Sequence, residues 1–157
     1  KVLKGHIAVA TTDINKDEIG KKIDKRARKF LNESNLDYAH GTGHGVGFFL
    51  NVHEGPQSIT KINTVKIREG MILSNEPGYY KTNEYGIRIE NLVYVKKVNK
   101  KLLFQNLTMA PIEKDLINFD LLTVNEKNYL FKYHLEVYSN ISKYLSPNEK
   151  KWLASFI

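Results

Sequence analysis

The chain has no cysteine among its 157 residues. This excludes disulfide bonds and thiolate metal sites, so a bound metal would need imidazole and carboxylate ligands, which suit manganese, cobalt or zinc. No apolar run approaches the roughly 20 residues that cross a bilayer, and the first residues lack the apolar core of a signal peptide. We therefore expect a cytoplasmic protein with no membrane partner.

Acidic residues are fewer than basic ones. The chain has 17 aspartates and glutamates and 24 lysines and arginines, which gives a formal net charge of +7. The basic residues are mostly scattered lysines, without the interleaved arginines and aromatic residues of a nucleic-acid groove. We predict a solvated basic surface and no nucleic-acid partner. A hydrophobic fraction of 41% and a charged fraction of 26% are typical of a globular domain with a core.

Helical patterns occur in the first part of the chain. The first ten residues have a helical pattern with no cap before them, so we expect a part of a longer polypeptide. Asn15 and Glu18 have the spacing of a capping box, and apolar residues then recur at helical spacing, which predicts a helix over 16–32. The other face of this helix should be solvated, and it carries Lys21, Lys22, Lys25, Arg26, Arg28 and Lys29.

Two more helices are predicted near the C-terminus. Thr123 with Glu126 has the capping-box pattern and opens a long helix. Ser146 with Glu149, and proline at the first helical position, opens a short one. The aromatic content of this region requires it to pack on its own chain or on a partner.

A glycine-rich stretch over residues 40–47 holds two histidines, His40 and His44. Glycine at every second position weakens an ordinary strand and is tolerated where a ligand or another backbone comes close. One interpretation is therefore a twisted strand with incidental histidines, and the other is a ligand site with two imidazoles. His53 follows in a loop, where an isolated histidine is ordinarily a surface residue.

Two carboxylates stand in special contexts further along. Glu76 follows a predicted strand and precedes a Pro-Gly turn, so it lies at a strand end. The alternation over Tyr85–Val95 predicts one strand with Arg88 and Glu90 on the same face. These two form either an ion pair or a carboxylate ligand oriented by an arginine. Spacing alone is weak support for a common site, because 32 residues separate His44 from Glu76.

Four blocks of this stretch, in order, resemble the signatures of aminopeptidase P, the Xaa-Pro aminopeptidase of the pita-bread metallopeptidases. The N-terminal segment and the C-terminal region are also similar to the eukaryotic cytosolic type, so the resemblance covers nearly the whole chain. The blocks are His40-Gly-Thr-Gly-His44-Gly-Val-Gly, Asn51-Val-His53-Glu-Gly-Pro, Glu76-Pro-Gly-Tyr-Tyr and Gly86-Ile-Arg-Ile-Glu90-Asn91.

The resemblance implies the architecture. It predicts an α+β pita-bread fold, a curved antiparallel sheet covered by helices, of which this chain holds a part. Residues 1–111 would be the C-terminal part of the catalytic domain, and residues 112–157 a helical C-terminal extension. Homodimerisation through the C-terminal helices is also implied.

The resemblance further implies a metal site with two divalent ions. His44 would be the single histidine ligand, Glu76 a second ligand and Glu90 a carboxylate that bridges both ions, with Arg88 steadying the cluster. The family's usual metal is manganese, with zinc or cobalt as alternatives.

The implied reaction is hydrolysis of the bond between any N-terminal residue and a following proline. Water held between the two metal ions would be the nucleophile. His40 and His53 would hold the peptide substrate and stabilise the tetrahedral intermediate or shuttle its proton.

The pattern departs from the family in one large respect. The two metal-binding aspartates and another active-site histidine of the family belong upstream of this chain. We therefore expect three of the five ligands here and no dinuclear site in the isolated polypeptide. Two alternatives stay open: a proline dipeptidase or methionine aminopeptidase of the same fold, and a non-catalytic pita-bread binding protein.

Overall fold

The computed structural model describes residues 1–49 and 51–157, in two compact units, residues 1–108 and 109–157. We call them unit 1 and unit 2. Unit 1 combines helices with antiparallel strands, which confirms the predicted α+β class. Within the described residues, no helix is both long enough and apolar enough to cross a membrane. The assignment of a catalytic part and an extension to the two ends of the chain stays a prediction.

The strands of unit 1 form two sheets. The elements of this unit are α1 Val2–Ala10, α2 Gly20–Asn32, β1 Gly43–Val46, β2 Ser58–Ile59, β3 Ile72–Asn75, β4 Gly78–Lys81, β5 Tyr85–Arg88, β6 Asn91–Val98 and β7 Lys101–Asn106. The larger sheet is antiparallel, with the strand order β2-β1-β3-β6-β7, and β4 pairs with β5 in a separate two-stranded sheet.

The main core of unit 1 joins both helices to the larger sheet. Ile23 and Ala27 of α2 share this core with Leu73 of β3 and with Val93 and Val95 of β6, and each of them is at most 1% exposed. Alternate residues of β6 are buried, as a strand with one face on a core requires. Burial of each larger apolar side chain contributes roughly 1.5–3 kcal/mol, so this core fixes the sheet that carries the site.

Helix α2 begins at Gly20, later than the predicted start at residue 16. Ile19 is extended and forms a β-bridge with Lys66, and the Glu18 carbonyl oxygen accepts a backbone hydrogen bond from the same segment. This pairing holds residues 18 and 19 out of the helix. The predicted capping box of Asn15 and Glu18 is therefore wrong.

The predicted solvated face of α2 is wrong at one position, Arg28, which is only 3% exposed. Its guanidinium bonds to Asp24 one turn earlier and to the chain near Tyr38. A buried ion pair thus replaces the expected surface charge. The other basic residues of this face are exposed as predicted, and they are Lys21, Lys22, Lys25, Arg26 and Lys29.

The segment Tyr85–Val95 forms two strands, so the prediction of a single strand is wrong. β5 ends at Arg88 and pairs with β4, whereas β6 begins at Asn91 and pairs with β3 in the larger sheet. The chain changes sheets at residues 89 and 90, which places Glu90 in the link. Arg88 and Glu90 still meet as predicted, with 3.3 Å between Nε and Oε2.

Both predicted capping boxes of unit 2 are formed. Thr123 accepts the backbone N–H of Glu126, whose carboxylate accepts the backbone N–H of Thr123, and Ser146 and Glu149 do the same. The helices of this unit are α3 Val124–Ile141 and α4 Pro147–Ala154, with one-turn 3₁₀ helices at Lys114–Leu116, Phe119–Leu121 and Ser142–Tyr144.

Candidate metal centre

An open pocket of ≈ 430 Å³ gathers the predicted site residues. Five of the six line it, and the sixth, Glu90, lies beside two of them. The walls come from the loop before β1, from β1 itself, from the loop before β2, from β2 and the residue after it, from the residue that follows β3 and from the end of β5. The lining residues are His40, Gly41, Gly43, His44, His53, Ser58, Thr60, Glu76 and Arg88.

Strand β1 carries His44 between β2 and β3. Its glycines let the neighbouring backbone come close. A Cβ at Gly43 would lie 2.0 Å from the Ser74 carbonyl oxygen, and one at Gly45 would lie 2.2 Å from the Glu54 carbonyl oxygen. Gly43 and Gly45 are therefore explained by close approach of backbone, one of the two reasons that the sequence left open.

The hydrogen bonds of His44 direct one ring nitrogen at the pocket. Nδ1 lies 3.0 Å from the Gly45 carbonyl oxygen. A carbonyl can only accept, so Nδ1 carries the proton of the neutral ring. Nε2 then presents its lone pair 3.5 Å from Oε1 of Glu76. In this tautomer Nε2 is free to bind a divalent metal ion.

Glu76 is held at the end of β3 by two hydrogen bonds. Its backbone N–H donates to the Thr42 carbonyl oxygen at 2.8 Å, and its Oε1 accepts the Ser74 hydroxyl at 2.9 Å. The Ser74 oxygen in turn accepts the backbone N–H of His44 at 2.9 Å. These bonds fix the carboxylate relative to the imidazole.

Glu90 completes a cluster of three potential ligands. One ligand atom from each of His44, Glu76 and Glu90 lies within 4.8 Å of the other two. The Glu90 side chain is 41% exposed and pairs with Arg88. A hydrogen bond with the Tyr80 hydroxyl, together with nearby carboxylates, raises the pKa of Arg88, so this arginine stays charged beside Glu90.

His40 reaches the same pocket from the loop before β1. Its Nδ1–H donates to the Gly41 carbonyl oxygen at 2.7 Å, so Nε2 accepts the Tyr80 hydroxyl at 2.9 Å. The Tyr80 hydroxyl also contributes to the raised pKa of Arg88. Tyr80 is therefore close to the arginine that pairs with Glu90 as well as to His40.

His53 lies edge-on to His44, with 4.4 Å between the ring centroids and 88° between the ring planes. The loop that carries it is tied down by its neighbour Glu54. The Glu54 backbone N–H donates to the Gly45 carbonyl oxygen at 2.9 Å, and its carboxylate accepts the backbone N–H of Phe49 at 3.0 Å. The loop thereby brings an exposed histidine to the cluster.

The donor set fits a divalent cation, because an imidazole nitrogen and two carboxylates suit manganese, cobalt and zinc. The cluster identified within residues 1–49 and 51–157 has three members. Two ions a few ångströms apart would need further carboxylates to bridge them. The residues present therefore fit part of a dinuclear site.

Some residues that shape the site were not predicted from the sequence. Ser74 orients Glu76, Glu54 ties down the His53 loop, and Tyr80 bonds to His40. Each lies in or beside a block that resembles the family. Their place in or beside these blocks was the only sequence signal that could have identified them. Their residue types alone do not distinguish them from ordinary polar residues.

Two family models match the chain. The model of metallopeptidase family M24 matches residues 1–97, and the model of the C-terminal region of peptidase M24 matches residues 100–155. Together they account for nearly all of the chain.

Curated relatives carry aminopeptidase names. The probable Xaa-Pro aminopeptidase P of Coprinopsis cinerea is 46% identical over 166 residues, covering 98% of this chain and 27% of the relative. The putative Xaa-Pro aminopeptidase of Saccharomyces cerevisiae is 45% identical over 160 residues, covering 97% of this chain and 21% of the relative. The chain thus spans about a quarter of the length of these relatives.

Solved structures share the fold. The X-prolyl aminopeptidase of Caenorhabditis elegans, described as a cytosolic enzyme with a di-nuclear active site, gives a TM-score of 0.88 at 38% identity over 98% of this chain and 27% of that chain. Prolidase from Pyrococcus furiosus gives 0.59 at 29% identity over 68% of this chain and 30% of that chain. The predicted pita-bread fold, present in part, is confirmed by this likeness.

The predicted resemblance is confirmed as well. The first family model covers well over half of the chain, on the segment that holds all six predicted site residues. The chain belongs to metallopeptidase family M24.

Proposed function

We propose that the full-length protein containing this chain is a Xaa-Pro aminopeptidase, which removes an N-terminal residue that precedes proline. One observation carries the proposal: an imidazole and two carboxylates approach within 4.8 Å, at a pocket lined by His40 and His53. The names of the relatives support the substrate class, peptides with proline at the second position.

The ligands of the metal would be His44, Glu76 and Glu90, and we expect two manganese ions in the complete protein, with zinc or cobalt as alternatives. When bound, such ions supply Lewis acidity and an activated water. Ser74 fixes the Glu76 carboxylate, and Arg88 pairs with Glu90. Both carboxylates are thus oriented before a metal ion binds. Hydrogen-bonded partners behind metal ligands commonly have this effect.

The groups that act on the peptide would be His40 and His53. Both imidazoles border the pocket, one beside the Tyr80 hydroxyl and one edge-on to His44. A protonated imidazole can donate a hydrogen bond to the carbonyl oxygen as negative charge develops there. It can then give a proton to the departing proline nitrogen, which leaves as an amine.

The test compares metal content and peptide cleavage in the full-length protein and its His44→Ala variant. We expect the wild type to bind two ions per chain and to cleave Xaa-Pro-Pro peptides. The variant should lose stoichiometric metal and at least about 100-fold in kcat/KM, because a ligand matters more than its outer partners. Lys29→Ala, an exposed change on α2, should match the wild type.

The other results identify the alternatives. Preference for Xaa-Pro dipeptides would indicate a proline dipeptidase, and removal of N-terminal methionine would indicate a methionine aminopeptidase. A wild type that neither binds metal nor cleaves peptide would contradict the proposal and favour a binding protein.

The same proposal includes a cytoplasmic homodimer. The related enzyme of Caenorhabditis elegans is described as cytosolic. Large exposed apolar side chains in unit 2 suit a protein partner, and a monomer in sedimentation of the complete protein would contradict the dimer. These side chains include Leu116, Leu121, Val124, Tyr144 and Trp152.

A further inference from the structure

Arg28 of α2 lies buried beneath the loop that carries His40, with 3% of its surface exposed. A buried charge is costly unless it is paired and hydrogen-bonded. Its partners therefore indicate what the arginine stabilises.

The guanidinium makes four hydrogen bonds. Two go to carboxylates, from Nε to Asp24 Oδ2 at 2.8 Å and from Nη1 to Asp37 Oδ1 at 2.7 Å. Two go to backbone carbonyl oxygens, from Nη1 to Tyr38 at 2.8 Å and from Nη2 to His40 at 2.6 Å. The guanidinium also lies over the Tyr38 ring, 3.9 Å from its centroid.

These contacts have two functions. The carboxylates hold the guanidinium in place, and the guanidinium holds the backbone at Tyr38 and His40. Only the planar fork of an arginine bonds two carbonyl oxygens and two carboxylates at once, whereas a lysine ammonium is a compact point donor. The charge and the shape are both required.

The charges of this cluster are firmly held. Burial by itself would lower the pKa of Arg28, but hydrogen bonds with Asp24 and Asp37 raise it overall. Burial would likewise raise the pKa of Asp37, but hydrogen bonds from Lys61 and Arg28 lower it to about 2. Near neutral pH Arg28 and Asp37 therefore stay charged.

The network continues to the other side of the pocket. Asp24 Oδ1 accepts the Thr42 hydroxyl at 2.6 Å, and the Thr42 carbonyl oxygen accepts the Glu76 backbone N–H at 2.8 Å. The chain from Tyr38 to Thr42 is thus fixed on both sides of His40. The direction of the His40 side chain depends on this backbone.

We propose that Arg28 is a positioning residue for His40: its fork fixes the backbone that directs the imidazole into the pocket. The proposal rests on the proposed function, in which His40 acts on the peptide. Arg28 itself touches neither the pocket nor the potential metal ligands.

The first experiment measures Xaa-Pro-Pro cleavage by the metal-loaded, full-length protein carrying Arg28→Lys. Metal content should stay at the wild-type level, and kcat/KM should fall about 10- to 100-fold, because a small misplacement of a catalytic group has effects of this size. The control is Arg26→Lys on the same helix, whose side chain is 44% exposed and pairs with Asp17. It should leave kcat/KM unchanged.

A double-mutant cycle separates positioning from general stability. In a His40→Ala background, Arg28→Lys should cause less than about 2-fold further loss, because its effect passes through the missing imidazole. An equal loss in both backgrounds would overturn the proposal, as would unchanged activity of the single variant.

Crystal structures of the wild type and of Arg28→Lys give a readout that needs no activity. The 2.9 Å bond between His40 Nε2 and the Tyr80 oxygen should be lost in the variant, and its persistence would overturn the proposal. A wild type that cleaves no Xaa-Pro peptide would refute the proposed function alone. If Arg28→Lys does not fold, Asp37→Asn, at a side chain 40% exposed, should produce a smaller effect of the same kind.

Discussion

Ser74 holds two of the three proposed metal ligands with a single hydroxyl group. Its oxygen accepts the backbone N–H of His44, and its proton goes to Oε1 of Glu76, both at 2.9 Å. A hydroxyl has one proton to donate, so that proton is committed to the carboxylate. Ser74 has no proposed role as a metal ligand, yet it helps to set the distance between His44 and Glu76, which do.

His6 of α1 is fully buried, and its burial should make the folding stability of the protein depend on pH. Nδ1–H donates to the Ile89 carbonyl oxygen at 3.2 Å, and Nε2 has no hydrogen-bond partner in the described part of the chain. Burial lowers the pKa of His6 from 6.5 to about 4. The folded state therefore keeps this ring neutral under conditions in which an unfolded chain would protonate it.

The free energy of unfolding should not be reduced by His6 above pH 6.5. It should decrease as the pH falls from 6.5 towards 4. The folded pKa lies below the unfolded one, so the unfolded state gains the proton first, and the loss reaches roughly 3 kcal/mol. Unfolding of the full-length protein and of His6→Gln, followed over this pH range, checks the sign. An equally steep loss of stability in the variant would contradict it.

Strand β1 is the element on which the site depends, since it pairs with β2 on one side and β3 on the other. Gly45 and Val46 pair with Leu73 and Ile72 of β3. This register places His44 of β1 beside the end of β3, where Glu76 begins the next turn. The spacing of β1 and β3 therefore helps to set the distance between His44 and Glu76.

Substitution Gly43→Ala should force β1 and β3 apart, because the new Cβ would lie 2.0 Å from the Ser74 carbonyl oxygen. We expect a loss of about 1–3 kcal/mol in stability, the usual cost of overpacking, together with weaker metal binding. Calorimetric unfolding and metal titration of the full-length protein measure both.

A matched control for Gly43→Ala is Gly55→Ala, where the nearest atom to a new Cβ is 3.8 Å away. The control should keep the wild-type unfolding temperature. Wild-type metal affinity in Gly43→Ala would show that the spacing of β1 and β3 does not control the site.

At the scale of the whole molecule, all six predicted site residues belong to unit 1, residues 1–108. The chain spans 27% of the related aminopeptidase of Coprinopsis cinerea. The cluster has three potential ligands. Two divalent ions would need further carboxylates to bridge them. A site for two divalent ions would thus require ligands from outside the described cluster.

We therefore expect the isolated 157-residue chain to bind fewer than two manganese ions and to cleave no Xaa-Pro-Pro peptide. The full-length protein, treated in parallel, should bind two and cleave. Metal analysis and peptide hydrolysis on both forms decide this. A stoichiometric manganese pair that supports activity in the isolated chain would refute the five-ligand assignment.

Local signals in the sequence predicted several elements correctly. The capping boxes at Thr123 and Ser146 define the starts of α3 and α4 as expected, because they depend on residues within one turn. The sequence blocks also identified the family, and the proposed ligands, 32 and 14 residues apart along the chain, lie together in the structure. Their roles as ligands remain a proposal.

Tertiary contacts decided what these local signals could not. Ile19 is not helical, because it pairs with Lys66. The predicted single strand is interrupted at Glu90, because the chain passes there from one sheet to the other. Arg28 has the sequence context of a solvated residue, yet it is buried by Tyr38 and His40, which follow ten and twelve positions later. Periodicity reports which residues share a face, but burial of a charge depends on which distant backbone groups surround it.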